Sequence, residues 1–310
     1  MAFEKVIVFG PTGNIGSIAA QTASKKGANV YLAMRDPKKV IPGLTKEAEQ
    51  SGKYERLQAD MSDAASVRSA VEKTGAEAAF LYLVFGSPDN MLATFQALKD
   101  GGIKHVVFLS SLTVPKENLE SVQPDNLISY SHSQAELSLR KVFPKEQLVA
   151  IRPGSFATNA LHHKNGIIEG KIKLTKYDFY ADMITNEDMG EVSGTVLVEG
   201  QRDGEDYVYL FGPEVLVEEK TFQTVSKVLG KDIDIVRVDD DEALQELIRE
   251  GLPEPVAKFL VKAMKDVSGN DQLAMAGAPH QEGVENVKKY TGHPAVGFEE
   301  WAGRNKHMFT

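Results

Sequence analysis

Short apolar runs and helical periods take turns along the first half of the chain. Val6 to Phe9 is a β-branched and aromatic run that stops at Gly10, and behind it Ile15, Ile18, Ala19 and Thr22 recur at the spacing of one helix face. Asn29 to Met34 predicts a second strand, closed by Arg35-Asp36-Pro37-Lys38-Lys39, where proline stops any continuation. A polar stretch running to Gly52 predicts a short helix, and Tyr54 to Ala59 a third strand. Asp60 follows, and Ser62 or Asp63 can cap a helix that runs to about Lys73. Ala78 to Val84 is nearly all apolar, as a parallel strand buried on both faces is. Gly86-Ser87-Pro88-Asp89 turns the chain into a helix that ends at Gly101-Gly102. Lys104 to Ser110 predicts the fifth strand, residues 131–143 a helix, and Gln147 to Ile151 the sixth strand. Six strands with intervening helices predict an α/β fold built on a doubly wound parallel sheet.

The turn after the first strand carries the most informative chemistry. It reads Gly10-Pro11-Thr12-Gly13-Asn14-Ile15-Gly16, with glycines three residues apart between a strand and a helix. That order is what a dinucleotide-binding βαβ unit requires. Gly10 allows the tight turn, Gly13 lets the backbone approach a diphosphate, and Gly16 lets the helix lie close to the strand. The free N–H groups and dipole of the helix start attract phosphate. At the end of the second strand, where a carboxylate would bind the ribose 2′-hydroxyl of NAD, the chain places Arg35, with Lys38 and Lys39 just beyond. A guanidinium there pairs with a 2′-phosphate and stacks on adenine, so the expected cofactor is NADP, although Asp36 is a carboxylate close by. Asp60 stands at the height of an adenine ring, serves as the cap of the next helix, or does both.

Past Arg152-Pro153-Gly154 the alternation weakens. Residues 155–182 are mixed and hold His162-His163 and several aromatics. Glu187 to Val198 predicts a helix, and Asp206 to Phe211 a strand able to rejoin the sheet. Ile233 to Val238 predicts another strand, with helices near 217–229, 240–250, 254–267, 281–290 and 298–307. The resulting plan is a dinucleotide domain over residues 1–155, rejoined by 185–212, and a smaller, mostly helical substrate domain over 156–184 and 213–310. The smaller domain would close a cleft over the strand C-termini, where open α/β sheets bind ligands. Asp239-Asp240-Asp241 reads as a helix N-terminal cap.

Composition narrows the function. The 310 residues allow one large or two modest domains, and the formal net charge of −9 argues against a nucleic-acid binder, which needs a basic face. There is no cysteine, which excludes disulfides, a thiolate nucleophile and cysteine-held metal. His162 and His163 point different ways and no carboxylate set completes a zinc site, so no metal is expected. No basic segment followed by an apolar stretch suggests a leader, and no apolar run approaches the ~20 residues of a membrane span. The expectation is a cytoplasmic protein with a small-molecule substrate and neither a nucleic-acid nor a membrane partner.

The opening Val-Phe-Gly-Pro-Thr-Gly-Asn-Ile-Gly, the Ala-Met-Arg-Asp-Pro-Lys-Lys after the second strand and Gln58-Ala59-Asp60-Met61 after the third resemble the NmrA-like branch of atypical short-chain dehydrogenases/reductases. Tyr290-Thr291-Gly292-His293-Pro294 and Gly297-Phe298-Glu299-Glu300-Trp301-Ala302-Gly303-Arg304-Asn305-Lys306 are similar to that family's C-terminal segment. The resemblance spans essentially the whole chain. It implies an extended Rossmann domain, a small C-terminal substrate domain and NADP binding, through Gly10, Thr12, Gly13, Asn14, Ile15, Gly16, Arg35, Lys38, Asp60, Met61, Val84 and Gln134. The family includes quinone and other small-molecule reductases, and also redox-sensing regulators that bind the dinucleotide without consuming it.

The wider superfamily works through a Tyr-x-x-x-Lys helix with a serine or threonine after the fifth strand. The phenol donates a proton to the carbonyl that receives hydride, and the lysine charge activates the phenol and holds the ribose. Here the stretch is Tyr130-Ser131-His132-Ser133-Gln134, with tyrosine in place and glutamine at the lysine position. Gln134 can bond a ribose but supplies no positive charge, so the Tyr130 phenol goes unactivated unless His132 or the cofactor helps. The hydroxyl candidate is Ser111, with Ser110 and Thr113 as other registers; Tyr130 could also merely pack at a helix start. Arg152-Pro153-Gly154-Ser155-Phe156 resembles the family's turn beside the nicotinamide, which implies that Phe156 and Asn159 face the cleft; His162 is a further substrate contact or acid. Two functions follow: an NADPH-dependent reductase of a small carbonyl, quinone or conjugated substrate, or an NADP(H)-sensing regulator with a protein partner.

Overall fold

The computed structural model describes residues 3–51, 53–266 and 280–310. Met1 and Ala2, which open the first stretch, and the last residue of the helix expected over 254–267 lie outside the described residues. Numbered in chain order, the strands are β1 (Lys5–Phe9), β2 (Asn29–Met34), β3 (Tyr54–Gln58), β4 (Ala78–Tyr82), β5 (His105–Leu109), β6 (Leu148–Pro153), β7 (Lys171–Thr175), β8 (Tyr180–Ala181), β9 (Tyr207–Leu210), β10 (Leu216–Val217) and β11 (Asp234–Val238). The helices are α1 (Asn14–Lys25), α2 (Lys46–Ser51), α3 (Ala64–Thr74), α4 (Leu92–Gly101), α5 (Leu127–Val142), α6 (Lys164–Glu169), α7 (Asn186–Glu199), α8 (Glu218–Leu229), α9 (Asp240–Arg249), α10 (Glu254–Asp266), α11 (His280–Thr291) and α12 (Phe298–Arg304).

The chain packs as two compact units. The first comprises Met1–Pro153, Asn186–Leu210 and Glu285–Pro294. Glu285–Pro294, assigned to the smaller domain on sequence grounds, packs with this unit. Its sheet runs β3-β2-β1-β4-β5-β6-β9, parallel throughout. The apolar run Val6 to Phe9 is at most 1% exposed, as a central strand covered on both faces must be. From β1 the chain winds outward through β2 and β3, then crosses back to β4, so the order reverses between β1 and β4. Ligands bind at such a reversal, beyond the strand C-termini.

Helix α7 lies against α1 through two glycines one turn apart. A Cβ at Gly190 would come within 2.5 Å of Ile18, and one at Gly194 within 2.5 Å of the Ala19 carbonyl. The return segment is fastened to the same unit. Asn286 Nδ2 donates to the Tyr209 carbonyl at 3.0 Å, Arg202 stacks on the Tyr290 ring, and His293 Nε2 meets Glu191 at 2.8 Å.

One buried charge crosses the layer between sheet and helix. Arg152 on β6 is wholly buried and forks onto Glu136 of α5, at 3.0 Å from Nε and 2.6 Å from Nη2. Burial opposes the guanidinium charge, and Glu136 outweighs it, so the pKa is raised. Ser110 Oγ donates to the same carboxylate at 2.6 Å, and the Tyr207 and Tyr209 rings flank the guanidinium.

The second unit comprises Gly154–Thr185, Phe211–Val284 and Ala295–Thr310. Here β7 pairs with β11 in parallel and β8 with β10 antiparallel. Its core gathers Phe222, Phe298, Trp301 and Phe309, with a smaller cluster of Val238, Ala243, Leu247, Ala257 and Val261. Asp239 caps α9 by accepting the Glu242 N–H at 2.9 Å.

Removing one partner of a buried pair leaves an uncompensated charge. Glu136→Ala should therefore lower unfolding free energy by about 3–5 kcal/mol in denaturant titrations. A loss under about 1 kcal/mol, the range of an exposed pair, would show that Arg152 does not depend on Glu136.

Candidate functional site

The three glycines of the first turn answer to different constraints. Gly10 is left-handed at φ +71°, and a Cβ there would strike the Tyr82 ring at 2.2 Å. A Cβ on Gly16 would sit 2.4 Å from the Gly10 carbonyl, so its absence lets α1 close onto the turn. Gly13 differs. Its φ is −86°, and a Cβ would meet only the Gly10 carbonyl, at an ordinary 3.5 Å. Nothing in the fold asks for glycine at this exposed position. Gly13 is also the N-cap of α1 and offers no side-chain cap, and the first helical turn holds no acidic residue. The first bond of that end is Ser17 N–H to Gly13 O at 2.9 Å, which leaves the N–H groups of Asn14, Ile15 and Gly16 without intrahelical partners.

Beside this turn lies a cavity of about 390 Å³. Among the residues expected to hold a cofactor, Gly10, Thr12, Arg35, Asp60, Met61 and Val84 line its walls. Gly13, Asn14, Ile15, Gly16, Lys38 and Gln134 do not; Ile15 is buried in the helix face and Lys38 is exposed. Lys39 lines the wall where Lys38 was expected. The shape of the turn explains this: Asp36 accepts the Lys38 N–H at 3.0 Å on its side chain and the Lys39 N–H at 3.2 Å on its carbonyl. Arg35 is exposed and hydrogen-bonds no described residue, and its charge adds to the lowering of the Asp60 pKa. The larger cause of that lowering is Ser62, whose Oγ and N–H both donate to Asp60 Oδ1, at 2.7 and 2.9 Å. Asp60 is not the cap of α3; Asp63 is, through the Ala65 N–H.

Sequence reasoning missed the aromatic wall. Tyr82 and Phe85 are 42% and 58% exposed and line the cavity. The run Ala78 to Val84 reads as one buried strand, but β4 ends at Tyr82. The usable signal was the pair of aromatics bracketing the last residues of that run.

Helix α5 begins four residues earlier than expected, because Asn126 accepts the Ser129 N–H and caps it there. Tyr130 and Gln134 thus stand one turn apart inside the helix, both half-buried. Ser129 Oγ donates to the Thr113 carbonyl at 2.7 Å, fastening this turn to the loop after β5. In that loop Ser111 Oγ and Thr113 Oγ1 are 3.0 Å apart. Ser110 is engaged by Glu136, which leaves Ser111 and Thr113 as the hydroxyl pair. His132 is buried with its Nδ1 on the Ile128 carbonyl at 2.9 Å and its ring edge-on to Phe85. Burial lowers its pKa, so it stays neutral and lends Tyr130 no charge.

In the second unit Phe156 is half-buried and bridges to Ile184, Asn159 is exposed, and His162 is half-buried with its pKa lowered by burial. His163 is edge-on to Phe222 and 3.9 Å from Glu218, and burial pushes its pKa down to about 4. The turn that carries Ser155 and Phe156 is held by a buried carboxylate. Asp182 accepts the Ser155 N–H at 2.8 Å and the Gly212 N–H at 2.9 Å, and a Cβ on Gly154 would lie 2.1 Å from Asp182 Oδ1. Burial raises the Asp182 pKa to about 6, against the lowering effect of these N–H groups. Among the described residues no cluster of three or more His, Asp or Glu could hold a metal ion, and no helix is long and apolar enough to cross a membrane.

A seven-stranded parallel sheet with a glycine turn at its point of reversal defines a Rossmann-type fold. The chain belongs to the NmrA-like family, whose model it matches over residues 3–301. It is 32% identical to the nitrogen metabolite regulation-like protein bik4 of Gibberella fujikuroi, covering 97% of this chain and 96% of that one. It is 25% identical to the (4-alkanoyl-5-oxo-2,5-dihydrofuran-3-yl)methyl phosphate reductase of Streptomyces griseus, covering 98% and 99%. Among solved structures it is similar to the NADPH-dependent quinone oxidoreductase QOR2 of Escherichia coli complexed with NADPH, with a TM-score of 0.74 at 20% identity over 98% and 100% of the two chains.

Asp182 makes a pH prediction. Its folded pKa of about 6 lies above the unfolded value of 3.8, so its contribution to stability is complete below about pH 4 and declines as pH rises through 6. Wild type should therefore lose stability relative to Asp182→Asn between pH 4 and 7, by on the order of 3 kcal/mol. Parallel pH profiles of unfolding for the two proteins would contradict the shift.

Proposed function

We propose that this protein is an NADPH-dependent reductase acting on a small carbonyl, quinone or conjugated substrate. The observation that carries the reading is Gly13: a glycine the fold does not need, at an uncapped helix start beside a cavity walled by Arg35 and Lys39. Bound NADPH would supply the hydride. The N–H groups that open α1 hold its diphosphate, and Arg35 with Lys39 pairs with the 2′-phosphate. Asp60, Met61 and Val84 enclose the adenosine. Tyr130, with Ser111 and Thr113 near the end of β5, donates the proton to the reduced substrate. Gln134 bonds the ribose without adding charge, which suits acceptors that need little help with protonation. Phe156, Asn159 and His162 contact the substrate. Residues 1–155 with 185–212 and 285–294 carry the cofactor, residues 156–184, 213–284 and 295–310 the substrate, and the protein works in the cytoplasm.

A second reading is an NADP(H)-sensing regulator that binds a protein partner. Two observations favour it: Gln134 and neutral His132 leave Tyr130 without an activating charge, and one relative is named as regulation-like.

The two readings separate on turnover. A reductase should oxidise NADPH stereospecifically with at least one member of a panel of quinones, enones and aldehydes. Tyr130→Phe should cut that rate while leaving NADPH affinity intact. Tight NADPH binding with no turnover across the panel would favour the regulator. Gly13→Val should fold as wild type does yet bind NADPH at least about tenfold more weakly, and undiminished affinity would overturn the site. Arg35→Asp should weaken NADP about 100-fold and NAD only a few-fold, on the scale of a lost charge-assisted pair replaced by repulsion. Equal losses would show that Arg35 does not meet the 2′-phosphate.

A further inference from the structure

The turn Arg35 to Lys39 has no strand or helix to hold its shape, yet its side chains are the ones asked to recognise a phosphate. Its rigidity comes from a residue outside it. Arg56 on β3 sends Nη1 to two of its carbonyls, Pro37 O and Lys39 O, each at 2.7 Å. The other edge of the guanidinium forks onto Glu49 of α2, from Nε to Oε1 and from Nη2 to Oε2, the latter at 2.9 Å. Four of its five N–H donors are thereby engaged, both partners are about three-quarters buried, and Arg56 is not on the cavity wall. Arg56 is thus not placed to bind phosphate. The Glu49 fork fixes the plane of the guanidinium, and the guanidinium fixes two carbonyls either side of Lys38. Asp36 ties the N–H groups of Lys38 and Lys39. Further along, Gln21 of α1 donates to the Pro42 carbonyl at 3.2 Å, so the segment is anchored at both ends.

We propose that Arg56, oriented by Glu49, is the positioning residue for 2′-phosphate selectivity: it holds the Arg35–Lys39 turn in the shape that presents Arg35 and Lys39 to the cavity. This rests on the NADP reading above. A planar fork does this where an ammonium cannot, because two parallel bonds to Glu49 and two to the carbonyls need fixed geometry.

The test is calorimetric titration of the whole protein with NADP and with NAD, for wild type, Arg56→Lys, Arg56→Met and Glu49→Gln. Wild type should prefer NADP; a wild type without that preference overturns the NADP reading itself, and this proposal with it. Given the preference, Arg56→Lys and Arg56→Met should weaken NADP by about tenfold, the scale of one lost charge-assisted contact, and change NAD less than about twofold. Glu49→Gln separates positioning from simple charge. It removes a negative charge near the phosphate, so a purely electrostatic role predicts tighter NADP binding. Positioning predicts NADP binding weakened about three- to fivefold, because the amide turns a donor toward Nη2 and breaks the fork. Tighter NADP binding by Glu49→Gln, unchanged NADP binding by Arg56→Lys, or equal losses for both dinucleotides would each overturn the assignment. Glu49→Gln keeps the test open should the Arg56 variants fail to fold.

Discussion

The structure depends on how closely a helix can approach the strand that precedes it. Gly16 lies where any side chain would collide with the Gly10 carbonyl, and Gly10 lies where one would collide with Tyr82. Those two contacts bring α1 down onto the end of β1, at the point where the sheet order reverses. Helix α7 repeats the device beside α1 with Gly190 and Gly194. The unit is therefore packed closely about a helix whose start is left uncapped. Gly13, between the two packed glycines, is free of both collisions, and that contrast separates the part of the turn that builds the fold from the part left open to a ligand.

Charge is placed with the same economy. Arg152 and Glu136 satisfy each other in the dark of the sheet–helix layer and take Ser110 out of the chemistry. Arg56 and Glu49 satisfy each other at the edge, and leave Arg35 exposed and without a hydrogen-bond partner among the described residues. A guanidinium that is spent supports a backbone; one that is unspent is available for an anion. His132 follows the first rule: buried on a carbonyl, it cannot replace the lysine charge that Gln134 lacks.

The inner parallel strands were legible because strands covered on both faces are continuous apolar runs, and the glycine turn because its spacing is a backbone requirement. What escaped the sequence has physical reasons. Strand β7 (Lys-Ile-Lys-Leu-Thr) is short and flanked by polar residues, and its partner β11 lies some 60 positions away in the register Ile172 to Ile235. The start of α5 moved because Asn126 caps it ahead of the tyrosine. Lys39 replaced Lys38 because the Asp36 bonds set the turn, and one residue in a turn reverses a side chain's direction. Tyr82 and Phe85 were hidden by their apolar neighbours. The Arg56 fork left no sequence signal, since two of its acceptors are backbone carbonyls.

The account is tested most directly by a crystal structure of the protein grown with NADPH. It predicts the diphosphate against the N–H groups that open α1 at Asn14, Ile15 and Gly16, and the 2′-phosphate within hydrogen-bond distance of Arg35. NADPH bound elsewhere, or a 2′-phosphate turned away from Arg35 and Lys39 into solvent, would contradict it.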